Sequence, residues 1–263
     1  MSSIIEFYNQ VDEEQRFARN SRAIEWFTTI KILEEQISPP QSILELGAGR
    51  GAYALHYAAL GHAVTALDLT PSNVEVIRQR ARERSLVLDA VEGDATDLSP
   101  FADASFQHVL MLGPYYHVTD EKARARLLQE AIRVLQPGGL LAIAYINKFS
   151  VVPMLVKKLP AYMRQATLKH VMDRGYLKGD DPDNFWIDSY YTTPEEIERT
   201  ITALKLTIVD HVATDGLSHT IDQEVDALDE QQYELYRSYH LATCRERSML
   251  GISTHGLLLA RKD

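Results

Sequence analysis

Between about residues 42 and 146 the chain alternates two patterns. Short apolar runs, SILEL (42–46), AVTALD (63–68), VLDAVEGD (87–94), FQHVLML (106–112) and LLAIAYI (140–146), read as buried strands. The stretches between them carry apolar residues at helical spacing, as in Ala123, Leu127, Leu128, Ala131 and Leu135. A helix is expected from about 51 to 60. Another starts at Thr70-Pro71-Ser72, with proline early in its first turn, and runs to about Glu83. Strands alternating with helices imply βαβ units and a mostly parallel, doubly wound sheet in an α/β fold.

Two further strand candidates, LTIVDHV (206–212) and HGLLLA (255–260), bring the expected sheet to seven strands. The helix TPEEIERTITAL (193–204) precedes them. Residues 150–192 break the rhythm, being irregular and rich in aromatics, and residues 215–249 look helical and begin acidic. The expected organisation is therefore N-terminal helices contributing to a cap (1–40), a core (41–149), a cap or lid insertion (150–192) and the rest of the sheet (193–263) with a helical insertion at about 215–249.

Charge narrows the partners. Lys and Arg number 27 against 37 Asp and Glu, a formal net charge of −10. Nucleic acid and anionic membrane surfaces call for a basic face, so neither is expected as a partner. One cysteine, Cys244, permits no intrachain disulfide and fits a reducing cytoplasm. The first residues lack the basic start and apolar core of a signal peptide, and no apolar run approaches the ~20 residues of a membrane span. There is no CxxC or Cys/His zinc spacing, so no metal is expected.

The stretch ILELGAGRGAY (43–53) sets three glycines in five positions after the first strand. In a doubly wound sheet ligands bind beyond the carboxyl ends of the strands, where this turn lies. Gly47 suits the tight turn, and Gly49 and Gly51 leave room for a ligand against backbone. Residues 47–52 also satisfy the dinucleotide pattern G-x-G-x-x-[GA], with Asp68 about 20 residues on, where an NAD enzyme keeps its ribose carboxylate. Glu45 speaks against that reading. A carboxylate two residues before the first glycine repels a pyrophosphate at the helix N-terminus and attracts a cationic or ammonium-bearing ligand. GDATDL (93–98) adds Asp94, an acceptor suited to an exocyclic amine, beside Ala95, with Asp97 as a rival.

These motifs, with VTALDLTP (64–71), VEGDATDLSPFADASFQHVLMLGPYYHV (91–118) and EAIRVLQPGGLLAIAYIN (130–147), resemble the class I S-adenosylmethionine (SAM)-dependent methyltransferases. The LGPYYH block is similar to a bacterial, small-molecule type. The resemblance covers roughly residues 40–147 and implies the Rossmann-like methyltransferase fold. It implies that Glu45 sits near the sulfonium or amino end of SAM, that the backbone of Gly47, Ala48, Gly49 and Gly51 packs on methionine and ribose, and that Asp68 accepts both ribose hydroxyls. Leu69 would pack on the adenine, Asp94 would accept from its amine with Ala95 nearby, and Leu112 and Gly113 would face the amino-acid moiety and the methyl group. Gln107 departs from the acidic residue the family often carries at the start of the fourth strand, a mainly structural position.

On the acceptor side, Tyr115, Tyr116 and His117 follow the fourth strand, where a substrate meets the methyl group. His117 is suited to act as a general base, or to cap the next helix, with Tyr116 beside it. Trp186, Tyr190 and Tyr191 in NFWIDSYYTT (184–193) are expected in a substrate pocket under the cap, with plain packing as the alternative. Tyr8 and Arg16 fall in an N-terminal helix placed to close over SAM, Arg16 against its carboxylate, unless that face is solvated. The expected function is methyl transfer to an O or N nucleophile of a small organic acceptor by a cytoplasmic monomer or homodimer. A SAM-binding sensor or partner subunit without catalysis is the alternative, and an NAD-dependent oxidoreductase is the third.

Overall fold

The computed structural model describes residues 17–263. The apolar runs form β1 (Ser42–Leu46), β2 (Ala63–Asp68), β3 (Asp89–Glu92), β4 (Phe106–Met111) and β5 (Leu135–Asn147), in spatial order β3-β2-β1-β4-β5 and all parallel. β9 (His255–Lys262) runs antiparallel along the other edge of β5, and β8 (Leu206–Ala213) antiparallel along β9. The sheet grows from β1 in both directions, so strand order reverses between β1 and β4. A crevice opens at such a point beyond the carboxyl ends of the strands.

Continuous apolar strands mean that both faces are covered. Leu44, Leu46, Val109, Met111, Leu141 and Ile143 face α4 (Glu121–Val134) and α7 (Pro194–Ala203), which contribute Leu127, Leu128, Ala131, Ile197 and Ile201. The alternate residues Ile43, Val64, Ala66, Leu110, Leu140 and Ala142 face the opposite layer. There α1 (Asn20–Glu34), α2 (Ala52–Ala59) and α3 (Pro71–Glu83) contribute Ile30, Leu33, Tyr57, Val74 and Ile77. The three layers follow from the two-residue period of the strands and the apolar stripes of the helices.

Helix starts match their sequence signals. Pro71 opens α3 and Asp120 caps α4 by accepting from Ala123 N at 2.8 Å. Thr193 and Glu196 form a reciprocal capping box on α7.

The irregular segment after β5 is ordered in part as α5 (Val151–Lys158), α6 (Gln165–Lys169), β6 (Tyr176–Leu177) and β7 (Ser189–Thr192). These two strands are too short to show a period in the sequence. β7 pairs in parallel with the end of β5, Ile146 to Tyr191 and Asn147 to Thr192. The register of β4 on β5 ends at Ile143, and β9 holds the other edge, so β7 extends the sheet past the tip of β4. A separate apolar cluster of Tyr116, Ile146, Val151, Leu155, Val171, Leu177 and Tyr191 fixes the segment there. The expected 215–249 helical region is α8 (Asp222–Asp226), α9 (Glu230–Thr243) and α10 (Arg247–Ile252). Gln136-Pro137-Gly138-Gly139 lies inside β5, where the pairing with β4 shifts register between Phe106 and His108. No described helix is long and apolar enough to cross a membrane.

One glycine outside the site is fixed by packing. A Cβ on Gly256 would stand 2.3 Å from Cζ of Tyr145, the residue facing it across the ladder. Tyr145 is fully buried and its hydroxyl meets His211 Nε2 at 3.0 Å. Gly256→Ala should lower the stability by about 1–3 kcal/mol, the usual cost of overpacking a core. A reduced midpoint in chemical denaturation reads this out; an unchanged midpoint would show that the ring has room to move.

Candidate active site

A cavity of about 840 Å³ opens at the carboxyl ends of β1, β2 and β4. The registers Leu46 to Leu67 and Leu46 to Met111 bring the three strand ends level, so the loops that follow them share one space. Glu45, Gly47, Ala48 and Gly49 line it from the first loop, Asp68 and Leu69 from the second, and Asp94 and Ala95 from the loop after β3. Leu112, Gly113, Tyr116 and His117 close the side beyond β4.

The glycines divide the work differently from the sequence expectation. Gly47 has φ +67°, and a Cβ there would lie 2.6 Å from Pro114 Cγ. The loop after β4 is therefore packed directly on the turn after β1. Gly49 donates from its backbone N to Asp68 Oδ2 at 2.7 Å and lines the cavity. Gly51 does not line it; a Cβ at Gly51 would meet Ile77 Cγ1 at 2.8 Å, so its absence lets α3 pack against the turn.

Asp68 is 6% exposed and ties two loops together. Its Oδ1 accepts from Thr70 N at 2.8 Å and Asn73 Nδ2 at 3.1 Å, and its Oδ2 from Gly49 N. Burial raises its carboxyl above the ordinary aspartate range, against the pull of these hydrogen bonds. The Thr70 side chain adds a further hydrogen bond to the same carboxylate. Glu45 is 2% exposed at the end of β1. Asp94 and Asp97 both line the cavity; Asp94 is half-buried and accepts from Thr96 N at 2.8 Å, while Asp97 is exposed and accepts from Ser99 N at 3.1 Å. Hydrogen bonds from Ser99 hold the Asp97 carboxyl below its usual range.

On the far wall, Tyr116 donates from its hydroxyl to the Leu112 carbonyl at 3.2 Å. His117 Nδ1 lies 3.0 Å from the carbonyl oxygen of Asp188. A carbonyl only accepts, so Nδ1 carries the proton, and in the neutral ring the lone pair is on Nε2. The imidazole is held between the rings of Tyr116, at 4.7 Å, and Trp186, at 5.4 Å.

The expected aromatic pocket is placed elsewhere. Tyr115, Trp186, Tyr190 and Tyr191 are not part of the cavity wall. Tyr115 is sealed in the core, edge-on to Tyr190 at 5.7 Å, and the Arg124 guanidinium covers Tyr190 at 3.5 Å. Tyr191 points to the opposite face of β7 and packs with Val151 and Leu177. Trp186 does not line the cavity but lies against the His117 ring, and it is 40% exposed. Tyr8 and Arg16 lie outside the described residues. Asn73, Asp188, and Ala123, Arg126 and Glu130 of α4, none of them among the expected site residues, also line the cavity. Positions 123, 126 and 130 form one helical face, a signal that was open to the same periodicity that located the apolar stripe.

Residues 44–143 match the family model described as "Methyltransferase domain". A Xanthomonas oryzae pv. oryzae ubiquinone biosynthesis O-methyltransferase is 33% identical over 106 residues, 40% of this chain and 43% of that one. The chain thus spans less than half the length of such curated relatives. Among solved structures, a SAM-dependent methyltransferase from Methanosarcina mazei superposes with TM-score 0.61 at 21% identity, covering 88% of this chain and 96% of that one. The Burkholderia thailandensis 1,6-didemethyltoxoflavin-N1-methyltransferase, solved with bound 1,6-didemethyltoxoflavin and S-adenosylhomocysteine, gives TM-score 0.59 at 17% identity, covering 99% of this chain and 86% of that one. At these identities the two structures speak for the fold, which is the Rossmann-like methyltransferase fold.

Proposed function

We propose that this chain transfers a methyl group from SAM to an O or N nucleophile of a small organic acceptor. The observation that carries the reading is the convergence of Glu45, Asp68 and Asp94, from three successive strand ends, on one cavity. Its size suits a cofactor with a small substrate beside it. The residues fit SAM chemically: Asp68 offers a carboxylate to a ribose hydroxyl, Asp94 offers one to an adenine amine, and Glu45 complements positive charge. SAM supplies an activated methyl on a sulfonium, which leaves as a neutral thioether when the nucleophile attacks in line. The protein's part is to align the two reactants, an effect reaching roughly 7–11 kcal/mol in well-oriented systems.

His117 is the proposed base. With its proton fixed on Nδ1 by Asp188, Nε2 takes the proton that an alcohol, phenol or amine loses as its bond to the methyl carbon forms. Residues 150–192, which supply Asp188 and Trp186, are the proposed lid on the acceptor side. The acidic surface supports a small-molecule partner over nucleic acid, and the reading extends to a cytoplasmic monomer or homodimer.

Calorimetry tests the cofactor. S-adenosylhomocysteine should bind in the micromolar range, about −8 kcal/mol at 1 μM. NADH binding with no heat from S-adenosylhomocysteine would overturn the reading in favour of an oxidoreductase. Turnover of SAM across a panel of phenols, catechols and nitrogen heterocycles then separates an enzyme from a non-catalytic SAM binder.

A further inference from the structure

Four side chains from three separate parts of the chain meet near the cavity wall. Glu25 comes from α1, Asp215 and His219 from the turn after β8, and His255 opens β9. Glu25, Asp215 and His255 are buried and His219 is half-buried. None of them lines the cavity, but the His255 ring lies 6.4 Å from that of Tyr116, which does.

The donor atoms are grouped as around an ion. His255 Nδ1 is 2.7 Å from Asp215 Oδ2 and 3.7 Å from Glu25 Oε2, and His219 Nε2 is 3.4 Å from the same Asp215 oxygen. One such atom from each of the four residues falls within 4.8 Å of the others. Ligands bonded at 2.0–2.2 Å to a tetrahedral ion stand about 3.3–3.6 Å apart, so small shifts complete the geometry. The second oxygen of Asp215 is already fixed: Oδ1 accepts from Ser253 Oγ at 2.6 Å, Thr254 N at 2.8 Å and His255 N at 3.1 Å. A ligating carboxylate is typically held this way by its outer partners.

A second observation points to the same conclusion. His219 Nε2 is 3.4 Å from Asp215 Oδ2, which only accepts, and 3.4 Å from Arg22 Nη1, which only donates. One ring nitrogen cannot donate to the first and accept from the second at once. An ion held by Nε2 and Oδ2 resolves the conflict on the carboxylate side, with the Arg22 guanidinium turning outward.

We propose that Glu25, Asp215, His219 and His255 bind a divalent transition-metal ion that clasps α1 to the β8–α8 turn and the start of β9. Two imidazoles and two carboxylates are a donor set for zinc and its first-row neighbours, not for magnesium. Sequence spacing hides the site, because only Asp215 and His219 are close along the chain. The proposal stands independently of the methyl-transfer reading.

The test is titration of the chelator-treated full chain with Co²⁺, followed by its visible absorption. One equivalent should bind, give the intense band of a tetrahedral site, and be displaced by Zn²⁺. His219→Ala should weaken Co²⁺ binding at least about 100-fold, a loss at the upper end of that seen for outer-shell changes alone. Glu25→Gln, which keeps the side-chain shape, should weaken it as well and serves if His219→Ala does not fold. His170→Ala should leave binding unchanged; His170 belongs with Asp181 and Asp183 to a separate half-buried group. Absence of stoichiometric binding overturns the proposal. So does binding that survives both His219→Ala and Glu25→Gln, or that is lost in His170→Ala instead.

Discussion

Asp68→Ala is expected to bind S-adenosylhomocysteine roughly ten- to a hundred-fold more weakly than the native chain. Hydrogen bonds to a charged group contribute about 1.5–3 kcal/mol, and the substitution removes the carboxylate that faces the ribose in the proposed complex. The same carboxylate accepts from Gly49 N, Thr70 N and Asn73 Nδ2, so its loss also leaves two backbone donors of the cavity wall unpaired. Stability should fall by about 1–3 kcal/mol in consequence. Circular dichroism establishes that the variant is folded, and calorimetry then gives the affinity. A folded variant with unchanged affinity would show that the ribose lies elsewhere. The pH profile carries a matching signature. Burial raises the Asp68 carboxyl, so the protonated, weaker acceptor accumulates at a higher pH than for a solvated aspartate. Affinity should be flat at neutral and alkaline pH and decline on acidification before the ordinary carboxylate range is reached.

His117→Ala should lower turnover by about 10²–10⁴-fold for acceptors that lose a proton on methylation, the span general-base catalysis supplies. Binding of S-adenosylhomocysteine should change little, because Glu45, Asp68 and Asp94, the proposed cofactor contacts, remain. Equal loss of affinity and rate would instead mark His117 as a packing residue held between Tyr116 and Trp186.

How far the sequence revealed this arrangement depends on the range of each interaction. Glu45, Gly49, Asp68 and Asp94 were legible because each stands at the end of a strand readable as a continuous apolar run. Strand direction then sends all of them to the same edge. Tyr115 and Tyr116 were not separable, because they share a single 3₁₀ turn, Pro114–Tyr116, in which successive side chains diverge to the core and to the cavity. Tyr190 and Tyr191 posed the same difficulty on a four-residue strand, whose alternation gives one ring to each face. Gly51 was assigned to the ligand because its partner, Ile77, belongs to another helix, and composition says nothing of that contact. The grouping of Glu25 with Asp215, His219 and His255 depends on where α1 is laid against the end of the sheet.

The bond between His117 and Asp188 joins two parts of the chain with different histories of constraint. His117 follows β4, whose neighbours on both sides are locked in the parallel ladder. Asp188 precedes β7, which pairs with β5 at Ile146 and Asn147, past the end of the β4 register. Exchanging residues 150–192 for a segment of another chain would therefore do more than reshape the acceptor's container. In the proposed mechanism it would reset which imidazole nitrogen is presented to the acceptor, so that substrate range and proton-accepting competence would be inherited together as one transplantable unit.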